Sequence, residues 1–174
     1  MRRIAGNGPG PRRSQLSGKG KIQMVLREYK TGPAYQGGLD KGMDIITGLT
    51  AVMRQNHITA GMVSAIGAVS EAQLGYFNAQ TKSFEKRSFQ ESLEIVSLKG
   101  NISLKDNETF PHLHVVLSRS DFSTFGGHLF AGTVYAFEFE VIPFENKPFV
   151  RKFDNDTGLF LWKEESTNHA NEAV

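Results

Sequence analysis

Apolar and polar positions change period along this chain, and the change marks out its elements. Ile22, Met24 and Leu26 alternate with polar neighbours, which predicts a half-buried strand. Thr31-Gly32-Pro33 and Gly37-Gly38 then read as an irregular connection. Ile45, Leu49, Val52 and Met53 recur at helical spacing and predict a helix that ends near Asn56, with Asp40 or Asp44 capping its start. Beyond it the period falls to that of strands. Gly61–Ile66 runs into Gly67-Ala68, Ala72–Phe77 alternates, and Asn78-Ala79-Gln80 predicts a hairpin turn into Lys82–Arg87. Leu93–Leu104, His112–Ser118 and Thr133–Ile142 are the strongest strand candidates, and Leu159–Trp162 is a short last one. Many strands after one helix, without strand–helix alternation, predict an α+β fold with a mixed or antiparallel sheet.

The two ends break this pattern. Residues 1–21 hold Gly, Pro, Ser and Arg with little to bury and are expected to form a flexible basic tail. Residues 164–174 read as a frayed polar terminus, which leaves 22–163 as one folded domain. The tail carries Arg2, Arg3, Arg12, Arg13, Lys19 and Lys21 with no acid, so the overall charge of +2 hides a net −4 over residues 22–174. A duplex-binding domain needs a basic face, which leaves the tail as the electrostatic candidate for DNA. It has no aromatic residue to stack on bases, and a solubilising extension explains it as well. No stretch reaches the roughly 18 apolar residues of a membrane span, and no apolar run follows the N-terminal arginines. The expected location is the cytoplasm.

The chain has no cysteine, so a transition metal would have to be held by imidazole and carboxylate. His112-Leu113-His114 lies inside a strand pattern, where residues two apart share a face and their Cα atoms are roughly 6–7 Å apart. Gly126-Gly127 precedes His128 and permits a tight turn and close strand approach. A hairpin over Arg119–Phe125 would return His128 beside the two histidines. The arrangement suits a three-imidazole metal site with open positions. Zinc fits best, and iron, nickel and copper also accept such ligands. The alternative is that all three are polar strand residues, hydrogen-bonded or lining a subunit contact. His57 reads as a capping or surface residue near the helix end, and His169 lies in the frayed terminus. No dinucleotide fingerprint, phosphate loop or nucleophile elbow is present.

Four ordered segments resemble one family. Gly61-Met62-Val63 through Ile66-Gly67-Ala68-Val69, Leu93–Ser103, His112-Leu113-His114-Val115-Val116-Leu117-Ser118, and Gly126-Gly127-His128-Leu129 with Gly132 are similar to the successive motifs of the plants-and-prokaryotes conserved domain. The resemblance runs over about residues 22–163. It implies a largely antiparallel sheet with flanking helices, assembly as a homotrimer, and a metal site in some members formed by the positions of His112, His114 and His128. Plant members carry an AT-hook and regulate transcription. The tail here, with Gly8-Pro9-Gly10-Pro11-Arg12-Arg13, lacks that hook's Arg-Gly-Arg-Pro order. Three functions are therefore expected, in this order: a metal-binding protein with a small-molecule ligand, a DNA-associated regulator, and an assembly scaffold using the Glu94–Gly100 strand.

Overall fold

A computed structural model describes residues 25–163. Strands dominate it. In chain order they are β1 (Lys30–Thr31), β2 (Tyr35–Gly38), β3 (Gly61–Asn78), β4 (Ser83–Phe89), β5 (Leu93–Lys105), β6 (Glu108–Ser118), β7 (Thr124–Glu145), β8 (Val150–Asp154) and β9 (Leu159–Lys163). A single helix among the described residues, α1 (Ile45–Gln55), lies between β2 and β3. The expectation of flanking helices is thus corrected to one.

Asp44 caps α1, resolving the choice between Asp40 and Asp44. Its Oδ1 accepts from the Thr47 amide at 2.9 Å, and its Oδ2 accepts from the Gly132 amide of β7 at 3.1 Å. One carboxylate therefore both starts the helix and fixes it to the sheet. Asn56 closes the helix, and His57 follows, exposed, with φ of 54°.

The sheet is antiparallel except where β8 joins β5 in parallel, at Leu104 with Val150 and Lys105 with Arg151. β3 pairs with both β5 and β7, β7 with β6, and β6 with β5. These four strands close into a ring. Its inner face buries Val63, Ile95, Leu98, Leu113, Val115, Leu117 and Phe139, and Ile45, Leu49 and Met53 of α1 join them. Each fully buried aliphatic side chain contributes about 1.5–3 kcal/mol, so the alternation of β6, with Leu113, Val115 and Leu117 inward, fixes which way its histidines face.

Two sequence expectations fail here. The strand read from the Ile22-Met24-Leu26 alternation does not form over its described part, residues 25–26, while Tyr35–Gly38, read as irregular, pairs with β7. Gly37 and Gly38 do not break the chain. A Cβ on Gly37 would meet the Phe139 ring at 2.9 Å, and one on Gly38 the Phe137 carbonyl at 3.0 Å. The glycines allow a close strand pairing that larger residues would prevent. The β8 strand was also not predicted, whereas the hairpin turn after Asn78 forms as expected. The Asn78 Oδ1 accepts from the Gln80 and Thr81 amides there. Residues 1–21 and 164–174 lie outside the described residues. No described helix is long and apolar enough to cross a membrane.

Candidate metal centre

β6 and β7 are joined by a turn at residues 119–123, where the Arg119 amide donates to the Ser123 carbonyl. That short connection sets the register, and His114 falls directly opposite His128. Gly126 and Gly127 lie within β7 and not at the turn. A Cβ on Gly126 would stand 2.5 Å from the Val115 carbonyl oxygen, so this glycine admits close approach of β6. The role of close approach is borne out, and that of tight turning is corrected.

His112, two residues before His114, shares its face. The three ring centroids stand 5.2 Å (His112–His114), 5.0 Å (His112–His128) and 5.3 Å (His114–His128) apart, nearly an equilateral triangle. One ring nitrogen from each residue lies within 4.8 Å of the others. His114 is exposed and the other two are half-buried, so the triangle opens to solvent. Among the described residues no carboxylate joins the group.

The rings are kept neutral. His112 is lowered to about 4, by burial first, then by the Arg151 guanidinium and the neighbouring histidines. His128 is also lowered to about 4, by burial and then by His114, Arg151 and Lys86. Burial lowers His114 as well. Neutral imidazole is the form that ligates a metal. The Nδ1 of His128 is buried and has no hydrogen-bond partner. A buried polar atom without a partner is costly, and a bound ion in this three-nitrogen group would relieve the cost. The residues fit a metal with a preference for nitrogen ligands.

Aromatic rings wall the group on two sides. Phe84 and Phe130 stand 5.1 and 4.7 Å from His128, and Phe110 stands 6.5 Å from His112. Gly75, opposite His128, makes room for this packing, because a Cβ there would overlap the Phe130 ring. Arg151, which the sequence reading did not single out, reaches from β8 to place Nη2 3.2 Å from His112 Nδ1. The run Val150-Arg151-Lys152 gave no signal for this, since a basic residue beside a lysine reads as surface. His57 is far along the chain on the helix end and takes no part in the group, as expected. His169 lies outside the described residues.

A histidine triangle on the outer face of a strand ring defines a β-sheet domain with a metal-capable surface. More particularly, the chain belongs to the Plants and Prokaryotes Conserved (PCC) domain family, whose pattern matches residues 26–146. It is similar to a structure described as a metal-containing protein from Archaeoglobus fulgidus, with 40% identity and a TM-score of 0.79 over 81% of this chain and 100% of that one. A plant- and prokaryote-conserved protein from Pyrococcus horikoshii shares 31% identity, with a TM-score of 0.77 over 82% of this chain and 99% of that one. A candidate DNA-binding protein from Bacteroides thetaiotaomicron shares 31% identity, with a TM-score of 0.70 over 78% and 96%. No protein of curated function matches the sequence.

Proposed function

We propose that this protein binds one divalent transition metal per subunit through His112, His114 and His128, with zinc the best fit, and offers the metal's open positions to a small molecule. The observation that carries this reading is the triangle of neutral imidazoles, each about 5 Å from the next. Ligand nitrogens around zinc stand roughly 2.0–2.1 Å from the ion, a convergence that small rotations of exposed and half-buried rings supply. The description of the Archaeoglobus relative as metal-containing supports the same reading. A metal held by three imidazoles acts as a Lewis acid at its open positions. The chain's own residues hold the ion, exclude water on the Phe84, Phe110 and Phe130 sides, and leave the His114 side open to a ligand.

Elemental analysis of protein purified without chelator tests the proposal. Near-stoichiometric metal is expected in the wild type. His112→Ala/His114→Ala should lose nearly all of it while keeping its circular-dichroism spectrum, because both side chains lie on the outer face of β6. Absence of metal in the wild type after incubation with zinc would overturn the reading.

Association with DNA is a second reading, favoured by the description of the Bacteroides relative. It ranks lower because residues 22–174 sum to −4, and a duplex-binding surface needs the opposite balance. Self-association belongs to the first reading. The family resemblance implies a homotrimer, and the ring's outer face carries apolar residues, Met62, Ile66, Val96 and Val116, that an isolated subunit leaves exposed.

A further inference from the structure

Charge around the histidine triangle is one-sided. Paired residues in adjacent antiparallel strands share a face. Lys86 of β4 pairs with Gly75 of β3, Gly75 with His128, His128 with His114, and His114 with Lys99 of β5. One row thus reads Lys86, Gly75, His128, His114, Lys99, with a lysine at each end. The neighbouring row places Asn101 of β5 opposite His112. There the Asn101 Oδ1 accepts from Arg151 Nη2 at 2.7 Å.

Arg151 is 8% exposed. Its Nε donates to Ser103 Oγ at 2.9 Å and its Nη1 to the Phe160 carbonyl at 3.1 Å, so its acceptors are neutral. Among the described residues no carboxylate forms an ion pair with Arg151, Lys86 or Lys99. The acids that do pair serve other bases: Glu145 serves Lys30, Glu108 serves Arg54, Glu91 serves Arg119, and Asp154 serves Lys163. A buried guanidinium without a counter-ion is costly, and a divalent metal beside it adds more positive charge. The missing component is an anion.

Its chemical class follows from the walls. Phe84, Phe110 and Phe130 give an apolar lining, and Lys86 Nζ stands 3.9 Å over the Phe130 ring. Among the described residues no helix N-terminus faces the group: α1 buries Ile45, Leu49 and Met53 on the inner side of the ring, whereas the histidines are outside. A phosphate dianion is usually cradled by several backbone amides, which mid-strand positions have already committed to the sheet. We infer that the triangle takes a small carboxylate, one oxygen completing the metal's coordination and the charge paired with Arg151 and Lys86. This rests on the metal reading above. The Nη2 contact on His112 Nδ1 marks where the guanidinium meets the group, and a carboxylate oxygen is a stronger acceptor than a neutral ring nitrogen.

Cobalt(II)-loaded protein gives a visible absorption band that reports the metal's ligands, and cobalt content per subunit can be measured on the same samples. Acetate and benzoate should shift the band and saturate, while chloride at equal ionic strength leaves it unchanged and inorganic phosphate binds more weakly than either carboxylate. Lys86→Gln, on an exposed strand, should weaken carboxylate binding roughly tenfold at unchanged cobalt content. Arg151→Gln should weaken it more, up to about a hundredfold. Full cobalt content with a band that ignores both carboxylates would overturn the inference, as would tighter binding of phosphate or unchanged affinity in Lys86→Gln. Failure of the wild type to take up cobalt is a different result; it removes the metal reading, and this inference falls with it.

Discussion

The protonation of His112 and His128 is the most sensitive property of the site. Both are held down to about 4, against an ordinary value of 6.5, with burial the largest cause in each. A base with a lowered folded-state pKa binds fewer protons folded than unfolded. Its contribution to stability is therefore complete above about pH 6.5 and is lost as the pH falls from 6.5 towards 4. Metal-free protein should accordingly show a falling urea midpoint between about pH 6.5 and 5, above the range in which ordinary carboxylates titrate. The double variant His112→Gln/His128→Gln should show a flatter profile over the same interval. Equal slopes in the two proteins would mean that these rings are not the groups being titrated. Metal affinity of the folded protein should decline only lower, as the pH approaches about 4, where protons compete for the same nitrogens.

Strand spacing governs whether those rings meet at all. The alternation within His112–Ser118 was legible because each inward residue is aliphatic, and Leu113 between the two histidines is fully buried. The hairpin that returns His128 was legible too, from the turn-bearing segment 119–125 and the glycine pair after it, although the strand pattern was read only from Thr133 and β7 begins at Thr124. Arg151 and the lysine row were not. Their place depends on the parallel pairing of β8 with β5 and on the register of β4 against β3, and neither leaves a local period in the sequence. Gly100 is where strand spacing can be tested. It pairs with Leu113, and a Cβ there would overlap the His112 carbonyl oxygen and the Leu113 side chain. Gly100→Ala should push β5 and β6 apart at the histidine pair. The expected cost is about 2–4 kcal/mol in urea unfolding, together with weaker metal retention. A variant of wild-type stability would show that the strands have slack at this point.

At the scale of the molecule, the sequence showed a largely antiparallel sheet but not its closure. Each strand pattern records only which face is inward, whereas closure requires β3 to pair with β5 and β7 at once. Closure has a consequence outside the ring. Met62, Ile66 and Val96 are 53%, 56% and 52% exposed on outward positions of β3 and β5, although ordinary alternation would place polar residues there. Val96 sits where β5 shifts register against β6, between Ile95 and Ser97, and the matching shift against β3 falls between Ala65 and Gly67, at Ile66. These apolar side chains suit contact with a second copy of the chain. Ile66→Asp should therefore shift the protein in sedimentation velocity from an oligomer, expected to be a trimer, towards a monomer, because a charge at a subunit contact would be desolvated without a partner. The substitution faces away from the core, so far-ultraviolet circular dichroism should stay the same. A wild-type monomer, or a variant that sediments like the wild type, would show that this strip does not hold subunits together. Metal content measured on the separated species decides one further point: a monomeric variant that keeps its metal would place the whole coordination sphere within one chain and its solvent.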